Sequence, residues 1–273
     1  MNNKEGFMFN LKGEVAVVIG GTGALGGAIA RALHQAGASV AIVGRDEKKA
    51  NVIIENSERH ENRMQFFAAN ATSEEELRAA HERIEKELGA TTILVNAAGG
   101  NQPEVTLTEG KTFDQIKLSD WKHNFDLNLI GGALLPCQVF GMAMVQRQKG
   151  SIINIASVSA HLPLSRVVAY SSAKAAVLNL TQFLAREWAS HGVRVNSLTP
   201  GFFPADQNRK LLFKEDGGPT ERAASILGHT PMKRFGEAGE LGGAAVFLAS
   251  SRASSFVTGI DLRVDGGFLS QTI

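Results

Sequence analysis

The chain has 273 residues, 44% hydrophobic and 20% charged, an ordinary composition for a globular protein. A formal net charge of +1, with no run of like charges, argues against a nucleic-acid partner. The single cysteine, Cys137, excludes an intrachain disulfide, and neither "MNNKEGFMFN" nor any uninterrupted apolar run reads as a signal peptide or membrane span, so a cytoplasmic protein is expected.

Short Val/Ile-rich runs alternate with longer amphipathic stretches. "EVAVVIG" (14–20) predicts a buried strand, residues 24–37 a helix ending at Gly37, and "SVAIVG" (39–44) a second strand. Asp46 caps a helix over 47–58, and "MQFFAAN" (64–70) is a third strand. Ser73 and Glu76 form a capping box at the start of a helix over 73–89. A strand over 92–99, a loop, and a long helix around 119–148 follow. Strands over 150–157 and 192–200 flank a helix carrying Tyr170; residues 202–232 read as a long, irregular, polar lid. A helix near 237–250 and a strand within 256–267 complete the pattern. The strands lack polar alternation, as parallel strands covered on both faces do. The expected architecture is α/β: a doubly wound parallel sheet of about seven strands with helices on both faces, one domain over 1–273. The seven histidines are scattered without ligand spacing, so no metal is expected.

Two motifs carry chemistry. "VIGGTGALGGAIA" (18–30) joins the first strand to the first helix through five glycines. Glycine there lets backbone approach a pyrophosphate, which the helix N-terminus then stabilises. A ligand-free tight turn is the bland reading; the position after the first buried strand favours a dinucleotide. At the end of the second strand, Gly44 and Arg45 favour NADP over NAD, because an arginine attracts a 2′-phosphate where an acid would repel it. Asp46 is the counter-indication, read here as a helix cap.

The second motif is "AYSSAK" (169–174), which holds the only tyrosine. Tyr170 and Lys174 lie one helical turn apart on one face, and Ser157 ends the fifth strand, thirteen residues earlier. A phenol titrates near pH 10, and an ammonium about 4 Å away is worth roughly 4 kcal/mol at an effective dielectric of about 20. Lys174 is therefore expected to lower the Tyr170 phenol by about two or three pH units, toward a range useful for proton transfer.

With "GGTGALGG", "NAAG" (96–99), "DLNLIG" (126–131), "IASVSA" (155–160), "LTPG" (198–201) and "VDGG" (264–267), the chain resembles a short-chain dehydrogenase/reductase of the Rossmann-like fold over about residues 11 to 270. The resemblance implies a catalytic tetrad of Asn128, Ser157, Tyr170 and Lys174, with Tyr170 as proton donor and acceptor. It implies a cofactor site from Gly20, Thr22, Gly23, Ala24, Leu25 and Gly26, then Arg45, Asn70 and Ala71. Asn96, Ala97, Ala98 and Gly99 continue that site, and Tyr170, Lys174, Pro200, Gly201 and Phe203 close it. The chain departs from the family pattern at Ile19, Ala24, Asn70, Ala97 and Ala205, none of them in the tetrad.

The lid with "GGALLPCQVF" (131–140) and "AAGGNQP" (97–103) is similar to the D-mannonate oxidoreductase (fructuronate reductase) branch, near gluconate 5-dehydrogenases. That implies a keto-sugar acid such as D-fructuronate, reduced to D-mannonate. Asn101, Arg166, Gln207, Asn208 and Arg209 are candidate substrate contacts, arginine because its planar fork matches a carboxylate. Each arginine weighs equally as a solvated surface charge. A 3-oxoacyl or other hydrophobic-ketone reductase is the rival enzyme, favoured by Phe202, Phe203 and Phe213; a non-catalytic NADP-binding regulator is the rival from another class. Family likeness further implies a homotetramer, or a dimer, paired through the helices near 119–148 and 170–191.

Overall fold

The computed structural model describes residues 7–57, 62–205 and 209–272; Gln207 and Asn208 lie outside them. Seven strands form one sheet: β1 (Val15–Ile19), β2 (Ser39–Gly44), β3 (Met64–Ala68), β4 (Ile93–Asn96), β5 (Gly150–Ile155), β6 (Val193–Pro200) and β7 (Asp261–Val264). Their order is β3-β2-β1-β4-β5-β6-β7, and every pairing is parallel. Central strands β1, β4 and β5 are almost wholly buried because helices cover both faces, which explains their unbroken apolar runs.

The helices are α1 (Ala24–Gln35), α2 (Glu47–Glu55), α3 (Glu74–Glu87), α4 (Leu118–Phe125), α5 (Met142–Arg147), α6 (Val168–Trp188), α7 (Arg209–Leu212), α8 (Glu221–His229) and α9 (Leu241–Ala249). One apolar core gathers Phe67, Leu77, Ile84, Phe140 and Met144 on one face of the sheet. A second gathers Ile29, Leu33, Leu241 and Leu248 on the other. Chain order reverses between β1 and β4, which opens the crevice where ligands of such sheets bind.

Local details sharpen the expected elements. Asp46 accepts from Lys49 N at 3.0 Å, so it is the α2 cap. Only half of the expected capping box at α3 forms: Ser73 accepts from Glu76 N at 3.3 Å, while Glu76 Oε2 accepts from Asn70 N at 2.8 Å instead. Gly37 and Gly89, both at φ +106, end α1 and α3 as αL stops. The expected long helix runs from Leu118 to Arg147, but its middle, Asp126–Leu134 and Cys137–Gly141, is π-helical. That run is long and apolar enough to cross a membrane; here its apolar side, including Ala133, Cys137, Phe140 and Met144, is consumed by the core. The lid is less irregular than expected, because α7 and α8 form within it. They share a small core of Leu212, Ala223 and Ile226, packed by Phe202, Phe213 and Phe235.

Candidate active site

The carboxyl ends of β1, β4, β5 and β6 meet at one edge of the sheet, since Ile19 pairs with Asn96, Asn96 with Asn154, and Ile155 with Leu198. Directly beyond β1 the chain turns at Gly20, with φ +74. A Cβ there would fall 2.6 Å from Ala98 N, so only glycine lets the β1 and β4 loops touch. α1 then starts at Gly23 with no side-chain cap and no acid in its first turn. Its first N–H groups are thus left for an external anion, and the residues present fit a dinucleotide pyrophosphate.

At the end of β2, a Cβ on Gly44 would lie 2.8 Å from Thr22 Oγ1, so Thr22 lies against the position where an acid would reach a ribose. Arg45 is exposed beside it, and Asp46 is committed to α2. Asn70 spends its Oδ1 on Thr72, accepting from N at 3.2 Å and Oγ1 at 3.0 Å, and Ala71 packs against the core beside it. The side chain of Asn96 is fully buried and donates to Asn154 Oδ1 at 2.8 Å, so what it offers a cofactor comes from its backbone. Phe203 is likewise buried, 6% exposed, with Pro200 ending β6 and Gly201 N bound to Val264 O at 2.9 Å.

The four tetrad positions come together: Asn128 and Lys174 flank Gly99, Lys174 lies over the Tyr170 ring, and Ser157 bonds Tyr170. Asn128, 0% exposed, accepts from Gly100 N at 2.8 Å and donates to Gly100 O at 3.0 Å and Asn124 O at 2.9 Å. A Cβ on Gly99, whose φ is +141, would fall 2.6 Å from Asn128 Oδ1 and 3.4 Å from Lys174 Nζ. Lys174 is 3% exposed; its Nζ donates to Ile155 O at 2.7 Å and lies 5.8 Å from the Tyr170 ring centroid. Ser157 starts a single 3₁₀ turn, and its Oγ accepts from Ser159 N at 3.2 Å and Ser159 Oγ at 3.0 Å.

The electrostatics differ from the sequence-based expectation. Burial pushes the Tyr170 phenol up, and the opposing influence is a hydrogen bond from Ser157, not the Lys174 charge. Lys174 itself is lowered to about 8 by burial, so the ammonium is no longer a robust fixed charge. Its Nζ donates to the Ile155 carbonyl and lies over the Tyr170 ring, while burial, the largest influence on the phenol, raises it against the expected depression. Cys137 is inert chemically: burial raises its thiol to about 12.

Of the candidate substrate residues, Asn101 donates to Thr106 Oγ1 at 2.7 Å within the loop after β4. Arg209 is exposed, its guanidinium 5.4 Å from the Phe213 ring centroid. Arg166 is exposed just before α6. Sequence reading missed Arg222, which meets the Arg166 segment through Ser165. Its only local signal is a basic residue in the first turn of a helix, against the dipole.

Residues 21–269 match the family model described as enoyl-(acyl carrier protein) reductase. A crystal structure from Haemophilus influenzae, provisionally assigned as a D-mannonate oxidoreductase and holding NAD, superposes with a TM-score of 0.89 at 37% identity, covering 96% of this chain and 97% of that one. A gluconate 5-dehydrogenase from Burkholderia cenocepacia, in complex with NADP and tartrate, gives a TM-score of 0.85 at 33% identity over 97% of this chain and 98% of that one. The 2-dehydro-3-deoxy-D-gluconate 5-dehydrogenase of Formosa agariphila is 34% identical over 264 residues, 96% of this chain and 95% of the relative. The chain therefore belongs to the short-chain dehydrogenase/reductase family and is an oxidoreductase of CH–OH groups that uses NAD or NADP.

Proposed function

We propose that the protein interconverts a keto-sugar acid and its hydroxy form, with D-fructuronate and D-mannonate as the pair, and that NADP is its preferred cofactor. One observation carries this reading: Asn128, Ser157, Tyr170 and Lys174 converge at the strand ends beside an uncapped helix N-terminus. When bound, the nicotinamide supplies or accepts the hydride. Ser157, oriented by Ser159, hydrogen-bonds the substrate oxygen. Tyr170 Oη gives its proton to that oxygen in reduction and takes it back in oxidation. Lys174 keeps one N–H on Ile155 O and uses the rest to pass protons along; Asn128 Oδ1, facing Lys174 across Gly99, holds the relaying water. Because burial keeps the free phenol high, Tyr170 starts as an acid, which suits ketone reduction.

The NADP preference is supported by Gly44, the exposed Arg45 and the diversion of Asp46 into the α2 cap. The sugar-acid substrate is supported by the named activities of the Haemophilus, Burkholderia and Formosa proteins. A 3-oxoacyl reductase remains the second reading, supported by the aromatic lid residues Phe202, Phe213 and Phe235 and by the description of the matching family model. Assembly as a homotetramer fits the exposed Leu118, Met142 and Phe183 on the two helical runs expected to pair.

Following reduced nicotinamide by absorbance separates these readings. NADPH oxidation is expected with D-fructuronate, then 5-keto-D-gluconate, and not with a 3-oxoacyl thioester. Turnover of the thioester alone would give the rival enzyme, and dinucleotide binding without turnover of any ketone would give a regulator. Arg45→Ala is expected to raise KM for NADPH about tenfold while sparing NADH.

A further inference from the structure

One charge arrangement at the lid is explained neither by the motifs nor by helix stability. Arg222 sits in the first turn of α8, where the helix dipole disfavours a cation. Its Nη1 donates to Ser165 Oγ at 3.3 Å, bringing it to the segment just before α6. There Arg166 repels it: burial and the neighbouring guanidinium both hold the Arg222 ionisation below the usual arginine range. Among the described residues, no carboxylate pairs with either group. By contrast, Arg234 is paired with Glu240 at 2.6 and 2.7 Å, and Arg209 lies over the Phe213 ring.

The backbone that carries each arginine is also held in place. Arg166 has φ +75, a left-handed conformation unfavourable for a residue with a Cβ, and its carbonyl accepts from Leu107 N at 2.9 Å. The loop after β4 thus fixes the Arg166 backbone four residues before Tyr170. Arg222 is anchored on α8 next to Ala223, which is buried with Ile226 in the small lid core, and its side chain reaches Ser165. Three separate segments therefore bring two like charges together against their repulsion, an arrangement that an anion between them would relieve.

We propose that Arg166 and Arg222 form a two-pronged clamp for the carboxylate of the substrate, selecting sugar acids over neutral polyols. The proposal rests on the sugar-acid reading of the same site. Calorimetric binding of D-gluconate to the full chain saturated with NADPH tests it. Affinity is expected to fall at least about tenfold in Arg222→Gln and in Arg166→Gly, and Arg222→Lys is expected to recover only part, having charge without the fork. Arg166→Gly is chosen because glycine accepts φ +75 without strain. An NADPH affinity equal to wild type serves as the check that each variant is folded. D-Gluconate affinity unchanged in the folded variants, or no D-gluconate binding to the wild type, would overturn the clamp. Arginine-dependent D-gluconate binding in an enzyme that reduces no keto acid would instead sink the functional reading and leave the clamp standing.

Discussion

The strand-end machinery and the lid are built in opposite ways. At the strand ends, polar side chains are buried and partnered: Lys174 with Ile155 O, Asn128 with the backbone of Gly100 and Asn124, and Asn96 with the Asn154 side chain on β5. Burial of that kind is tolerated only with partners, so each group has one position and the chemistry is preset. The lid instead stands on its own small cluster of Leu212, Ala223 and Ile226, and carries its charges outside that cluster. On the proposed reading, the reaction type is thus set at the ends of the main sheet. On that same reading, substrate choice rests largely on the lid, whose small core is separate from the two that flank the sheet.

The largest test of this division is Tyr170→Phe, expected to lower kcat by about 10³-fold while leaving NADPH affinity intact in a fluorescence titration. Substantial residual turnover would move the proton donor elsewhere. Next is Gly99→Ala, which forces a Cβ to within 2.6 Å of Asn128 Oδ1 at a φ of +141. Disrupting those buried hydrogen bonds is expected to reduce kcat/KM about a hundredfold. An effect confined to KM would show that Asn128 merely shapes the pocket. Ile226→Ala should do the reverse, raising KM for the sugar acid by roughly fivefold with kcat almost unchanged, because only the lid core loosens. Equal losses in kcat would mean the two regions act as one unit.

The smallest effect is read in stability. Burial lowers Lys174 to about 8, so the unfolded chain holds that proton at higher pH than the folded one does. Its contribution to stability is therefore unfavourable at low pH and improves as pH rises from about 8 toward the ordinary lysine range. Denaturant titrations should show a gain of about 1 kcal/mol between about pH 8 and 9 in the wild type that Lys174→Met lacks. An identical pH dependence in both proteins would place Lys174 in a more hydrated setting than the one described.

Local patterns made most of the scaffold readable before any coordinates. Unbroken Val/Ile runs gave the parallel strands, Asp46 the α2 cap, Gly37 and Gly89 the helix stops, and the glycine turn the uncapped α1 start. What stayed hidden depends on contacts between distant segments. Glu76 leaves its own capping box because Asn70 N competes for it. The phenol is raised because the fold buries Tyr170, and Lys174 reaches the carbonyl of Ile155, nineteen residues away; neither can be read from the spacing of the two residues. Nothing in the lid sequence separates Arg222 from a surface arginine; only its meeting with Ser165 and Arg166 does. The wide π-helical turns that carry Asn128 also have no periodic signature distinct from an ordinary apolar helix.

The contact between Gly44 and Thr22 constrains how this protein could ever exchange one dinucleotide for the other. Placing an aspartate at 44 to grip an unphosphorylated ribose would drive its Cβ to 2.8 Å from the threonine hydroxyl. The single replacement would therefore force the Thr22 side chain to shift. A smaller residue at 22 would remove that clash, so replacements at 44 and 22 are expected to show epistasis.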